Sequence, residues 1–368
     1  MAGDESVPAR CTALSCDCVR GAASDFTIPT GIDAHTDLTK EGGLQVTQTH
    51  TSRNLKVGLM LPQTEGMRGA GVRGWSEVSA MARLAEDIGF DSLWVVDHLL
   101  YKLEGEEQPR GVWESWSFLC ALAAITRRVE LGTLVLAMGW RNPALLAKMA
   151  DTVDEISAGR LILGLGSGYH QLEYDAFGFP FDYKVSRFEE AIQIVHGLLR
   201  DGAIDFAGRF HSARDCELKP RGPRPGGPPI LIGTNSGSPR MQGLAARYAD
   251  LWNLYYDITH NKVEGFVRVL PEMAQACREH GRDIHSLKST VTVLLADSNA
   301  DPWWDRLPTD SYAEEGPLVP LTGGPQRIAE ELLRYRSAGV SHIQISLEPT
   351  TCATIEALAP VLEILDRG

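Results

Sequence analysis

The chain has 368 residues, of which 43% are hydrophobic, 23% charged and 7% aromatic, enough apolar material for a large core; short modules, fibrous proteins and disordered chains are excluded. Thirty-five Lys and Arg against 48 Asp and Glu give a formal net charge of −13, which repels phosphate backbones and anionic lipid, so neither nucleic acid nor a membrane is an expected partner. No window reaches the roughly 18 consecutive apolar residues of a bilayer span, and Met1 to Arg20 lacks an apolar secretory stretch, which reads as a cytoplasmic protein.

Residues 1–54 contain few large apolar side chains and no sustained period. They cannot repay their ordering entropy, so a flexible extension is expected, followed by one domain over 55–368. Cys11, Cys16 and Cys18 invite a metal reading, but a CxC without a second ligand pair is weak, and no metal site is expected. The seven cysteines are odd in number. Cys120 and Cys352 fall in apolar helical patterns where buried, reduced thiols are expected, and no disulfide framework follows.

From Leu55 onward, short apolar runs alternate with amphipathic stretches at helical spacing. In chain order the strands are expected at 56–61, 92–97, 129–136, 160–166, 229–233, 250–255, 289–296 and 342–348. The helices are expected near 75–88, 115–126, 143–157, 186–200, 239–248, 262–280, 325–338 and 354–365. Asn142-Pro143, Ser238-Pro239 and Gly324-Pro325 each place a capping residue before a proline at the first helical position. Gly89, Gly159 and Gly339 stand where helices should stop. Continuous apolar strands need a parallel sheet covered on both faces, and eight strand–helix units close into a (β/α)₈ barrel. An open doubly wound sheet is the alternative, disfavoured because no early strand ends in GxGxxG.

Two insertions, 169–184 after the fourth strand and 297–324 with Trp303 and Trp304 after the seventh, are expected as lid and pocket walls at the carboxyl face. The segment 220–229 reads as a stiff connector on the opposite side, after a hairpin around Gly208. In such a barrel the chemistry gathers at the strand carboxyl ends. Asp97 and His98 emerge there together, and an imidazole can give or take a proton near neutral pH. Ser167, Gly168, Tyr169 and His170 follow the fourth strand, the last two as possible acids or donors. Gly233, Thr234, Asn235, Ser236 and Gly237 lead into a helix, where free N–H groups and the dipole suit a phosphate, although a plain tight turn also explains the glycines.

The stretch from LGTLVLAMGW to EYDAFGFPF (131–181), with FDSLWVVDH (90–98) and ILIGTNSGSPRMQGLAARYADLWN (230–253), resembles the bacterial luciferase-like monooxygenase superfamily, and within it the branch using the deazaflavin coenzyme F-420. The similarity runs in order from about Leu55 to Leu365, while residues 1–54 have no counterpart. It implies a flavin-type ring in the barrel mouth, its phosphate held by Gly233–Gly237, Asp97 and Ser167–His170 lining the pocket, and a bulge near Leu134-Val135 with a non-proline cis peptide backing the ring. The sugar-phosphate dehydrogenases of that branch carry a carboxylic acid directly after the GxGxG run; Tyr169 stands there here, so that acid and its substrate do not transfer. The implied activity is hydride exchange between F-420 and a small organic substrate with His98 handling the proton, in a homodimer. A reduced-FMN monooxygenase using O₂ and a non-catalytic flavin-binding barrel are the alternatives.

Overall fold

A computed structural model of the chain describes residues 53–66, 73–103, 105–297, 300, 302–306 and 318–368. Eight strands, β1 (Lys56–Met60), β2 (Ser92–Val95), β3 (Glu130–Thr133), β4 (Leu161–Gly166), β5 (Ile230–Gly233), β6 (Leu251–Leu254), β7 (Lys288–Ala296) and β8 (Val340–Glu348), pair in parallel, each with the next. The Lys56↔His342 register joins β8 to β1. Leu163↔Ile230 joins β4 to β5, so the sheet closes on itself and the open-sheet alternative falls. Around it lie α1 (Trp75–Ile88), α2 (Ser115–Ile125), α3 (Pro143–Ile156), α4 (Lys184–Asp201), α5 (Pro239–Tyr248), α6 (Val263–Glu279), α7 (Pro325–Ser337) and α8 (Ala359–Arg367). Strand residues alternate between two cores, one against the helices and one inside the barrel built from Met60, Trp94, Leu134, Ile162, Leu231 and Leu251. Burial on both faces is why the strands read as unbroken apolar runs.

The interior also holds polar side chains, most of them paired, although Thr292 Oγ1 and Gln344 Nε2 have no partner among the described residues. Trp94 Nε1 donates to Ser92 Oγ (2.7 Å), which lies 2.7 Å from His342 Nε2; burial pushes the His342 imidazole down to about 3. Asn253 Nδ2 donates to Thr290 Oγ1 and Gln344 Oε1, both at 2.9 Å. At the amino-end side the Arg160 guanidinium donates to Ser157 O, Val129 O, Ala123 O, Thr126 O and Thr126 Oγ1, closing the α2 and α3 ends.

Several local expectations need adjustment. The run 129–136 is not one strand: β3 stops at Thr133, and Leu136–Ala137 pairs again with β4. The peptide Leu134–Val135 between them is cis. A Cβ on Gly164 would stand 1.8 Å from Thr133 O, so β4 meets β3 there at a distance only glycine permits. The closing helix expected over 354–365 is two pieces, Cys352–Glu356 and α8, because Pro360 is tolerated in a first turn but not in a helix interior. Cys352, expected to be buried, is exposed, and Cys120 is half-buried. Asn142 caps α3 by accepting from Leu145 N (3.0 Å), whereas Ser238 makes no side-chain cap bond. Gly89, Gly159 and Gly339 take the left-handed backbone conformation expected of them (φ 102°, 82° and 99°). The hairpin around Gly208 is the ribbon Ala203–Ala207 with Ser212–Glu217. A second ribbon, Leu100–Tyr101 with Arg110–Gly111, was not foreseen.

The folded body begins slightly earlier than expected. Arg53 donates to Gly89 O (2.5 Å) and pairs with Asp366 (3.0 Å) and Asp91 (3.5 Å). The expected flexible extension up to residue 52, with Cys11, Cys16 and Cys18, lies outside the described residues, as does 307–317 of the second insertion. No described helix is long and apolar enough to cross a membrane.

Candidate active site

The strand carboxyl ends open into a cavity of about 680 Å³, a size that suits a cofactor with a small ligand. Asp97, at the end of β2, lines it but is not free for chemistry. Its carboxylate accepts from Arg141 Nη1 (2.7 Å) and Nη2 (2.8 Å), Ser115 Oγ (2.5 Å) and Ala137 N (2.7 Å). Every strong acceptor direction is used, so Asp97 fixes the 134–137 bulge against β2 and acts as a positioning residue. Leu134 and Val135 of that bulge face the cavity.

His98 is oriented from behind. Its Nδ1 lies 3.1 and 3.2 Å from the two Glu173 oxygens, and Nε2 lies 3.4 Å from the Tyr169 hydroxyl. Glu173 is 1% exposed and also accepts from Leu99 N (2.6 Å) and Leu100 N (3.1 Å). A carboxylate fixed by two backbone donors holds the Nδ1 proton in place, leaving Nε2 for the cavity side. The His98 ring packs 4.9 Å from Tyr101 and 6.2 Å from His170. His170 Nε2 is buried with no hydrogen-bond partner among the described residues, and burial lowers its basicity, which favours a neutral ring.

Ser167 and Gly168 are shaped by the helix Gln171–Phe177 inside the first insertion. Tyr174, fully buried, donates to Ser167 O (3.2 Å). A Cβ on Gly168, whose φ is +75°, would lie 1.9 Å from the Tyr174 hydroxyl oxygen. The glycine therefore lets the loop lie flat on the phenol.

The β5 loop divides. Gly233, Thr234 and Asn235 line the cavity, and the Thr234 Oγ1, in a residue 5% exposed, has no hydrogen-bond partner among the described residues. Such an atom is costly unless a ligand or water meets it. Ser236 and Gly237 are held differently. Ser236 Oγ and Gly237 N each donate to Glu272 of α6 (2.9 Å), and Gln242 Nε2 donates to the same carboxylate (2.7 Å). Although partial burial opposes ionisation, these three donors win and lower the Glu272 pKa. Of the loop 233–237, expected as a whole to take an anion, the Ser236–Gly237 half instead holds the chain's own carboxylate.

His98, Tyr169, His170, Asp97, Leu134, Val135, Ser167, Gly168, Gly233, Thr234 and Asn235 accordingly share one cavity, whereas Ser236 and Gly237 do not line it. Glu173, Arg141, Tyr101 and Asp257 went unassigned by sequence reasoning. Glu173 and Arg141 lie 75 and 44 residues from their partners, a separation no local pattern reveals. Asp257 sits on the short helix Tyr256–Thr259 after β6, and burial raises its carboxyl to about 6.

Known proteins share this chain's sequence pattern and fold. Residues 55–304 match the family model of the luciferase-like monooxygenases. The pyrimidine monooxygenase RutA of Agrobacterium fabrum is 30% identical over 77% of this chain and 78% of its own length. The 5,10-methylenetetrahydromethanopterin reductase of Archaeoglobus fulgidus is 33% identical over 47% of each chain. Among solved structures, an F420-dependent secondary alcohol dehydrogenase superposes with a TM-score of 0.68 at 18% identity, covering 85% of this chain and 99% of that one. The EDTA monooxygenase of a Chelativorans species gives 0.67 at 16%, covering 85% and 94%. With a closed (β/α)₈ barrel and a carboxylate-backed histidine at its mouth, the chain belongs to the luciferase-like monooxygenase family of oxidoreductases.

Proposed function

We propose that this protein is a two-electron oxidoreductase using coenzyme F-420, with His98 exchanging the proton that accompanies hydride transfer to or from a small organic substrate. The carrying observation is the Glu173–His98 pair at 3.1 Å, with Nε2 turned to the cavity and Tyr169 beside it. The residues present fit a flat ring, with Gly233–Asn235 left to meet its tail because Ser236 and Gly237 are taken by Glu272. The cavity is large enough, the 134–135 bulge forms one wall, and the unpartnered Thr234 Oγ1 offers a hydroxyl to the ligand. When bound, the deazaflavin supplies the hydride chemistry. Asp97 and Arg141 keep the bulge in place, Glu173 fixes the imidazole tautomer, and Tyr101, Tyr169 and Trp303 supply aromatic lining to the cavity.

A second reading, oxygen insertion with reduced FMN and O₂, is favoured by the similarity to the pyrimidine monooxygenase RutA over 77% of this chain. One titration separates the two. The full chain mixed with F-420 and, separately, with FMN should quench deazaflavin fluorescence tightly and leave FMN largely free. Tight FMN binding with none of F-420, together with oxygen uptake in the presence of reduced FMN, would reverse the order.

A further inference from the structure

The charges around the cavity are mostly matched inside the protein. Asp97 meets Arg141, Glu173 meets His98, Arg110 meets Glu106, and the Lys184 ammonium rests 4.5 Å over the Phe181 ring. Asp257 differs. One of its oxygens accepts from Ile258 N (2.8 Å), and it makes no ion pair with any described residue. It lies in an aromatic wall: burial raises the phenol pKa values of Tyr101, Tyr255 and Tyr256, and the Asp257 charge raises each further. The Tyr255 and Tyr256 rings stand 4.4 Å apart, and all three phenols line the same cavity. Glu65, which accepts from Gly111 N (2.7 Å), and Glu348, which accepts from Trp303 Nε1 (3.1 Å), are further carboxylates of the lining. A half-buried carboxylate with no counter-charge among the described residues, in a wall of phenol rings, is an environment that suits a cationic nitrogen. An anionic ligand would meet repulsion here, and a neutral one would leave the charge uncompensated.

We propose that the substrate of this cavity carries a protonated or quaternary amine, seated against Asp257 and the Tyr101, Tyr255 and Tyr256 rings. The inference rests on the reading that this cavity is the substrate site, and its test is independent of which redox cofactor binds.

The test ranks three probes of similar shape on the full chain, with and without saturating FMN or F-420, by quenching of tryptophan fluorescence in about 0.15 M salt, where remote charges are screened. The probes are benzyltrimethylammonium, its uncharged isostere neopentylbenzene, and phenylacetate. The wild-type protein should bind the cation about tenfold or more tightly than the isostere, and the anion least. Asp257→Asn should cut that preference to about threefold or less while leaving neopentylbenzene unchanged. Equal binding of cation and isostere by the wild type, or an undiminished preference in D257N, overturns the proposal. Should D257N fail to fold, the wild-type ranking alone decides. If cofactor titration fails while the ranking holds, the redox assignment is wrong and the amine assignment stands.

Discussion

The amino-end interior of the barrel and its open rim treat buried polar groups in opposite ways. At the amino-end side Arg160 makes five hydrogen bonds and Ser92, His342 and Trp94 form a chain, so these groups are satisfied. At the rim Thr234 Oγ1 and His170 Nε2 have no partner among the described residues, and Asp257 has no counter-ion among them. A fully satisfied polar network contributes stability and specifies one packing, whereas an unsatisfied one costs stability and is retained where a ligand completes it. These two sets contrast groups that hold the fold with groups open to a ligand, although Thr292 Oγ1 on β7 and Gln344 Nε2 on β8 also have no partner among the described residues.

Four experiments sharpen or break that division. His342→Ala, at the closed end, removes a buried ring and leaves the Ser92 hydroxyl proton without its acceptor; a loss of about 3 kcal/mol in denaturant unfolding is expected, with cofactor affinity retained. A large loss of affinity without loss of stability would erase the division. His98→Ala, at the rim, should lower turnover about 10²-fold, equivalent to about 2.7 kcal/mol, while its melting temperature stays close to that of the wild type. Glu173→Gln should cost about tenfold in kcat and displace the pH–rate profile, because the amide no longer supports the imidazolium. A structural role alone would leave the profile where it was.

The smallest effect concerns pH, where the two regions should carry opposite signs. His342 is neutral in the fold down to about pH 3, but unfolded it takes a proton near pH 6.5, so its contribution to stability is complete above about 6.5 and declines as pH falls below that. Asp257 titrates near 6 in the fold against 3.8 as its ordinary value. Its contribution is complete below about 4 and is lost as pH rises through 6. Asp257→Asn should therefore raise the melting temperature at pH 7.5 and give no gain at pH 4. A gain of the same size at both would mean that the carboxylate is not destabilised by its surroundings.

The alternation of apolar runs and amphipathic helices carried the barrel, because parallel strands buried on two faces must be continuously apolar. Trp75–Ile88 and Pro239–Tyr248 were legible to the residue, since Gly89 and Ser238-Pro239 punctuate them. The bulge after Thr133 was not legible from periodicity, since Leu134 and Val135 continue an apolar run whatever their peptide geometry; only the family resemblance anticipated it. At the site, His98 and Tyr169 could be placed because they stand at strand ends. Their partners could not: Glu173 is one acid in an acidic helix, and its burial against Leu99 and Leu100 is a product of tertiary packing. Glu272 is a sharper case, for nothing in a surface helix announces that its carboxylate will fill a loop 35 residues earlier.

That carboxylate has a practical corollary. Three donors gathered on one anion form a seat that dissolved sulfate or phosphate can contest, and crystals grown from concentrated ammonium sulfate should show the 235–237 turn released from α6, whereas crystals from polyethylene glycol should keep it clasped. The choice of precipitant would then decide which form of the turn a crystallographer sees.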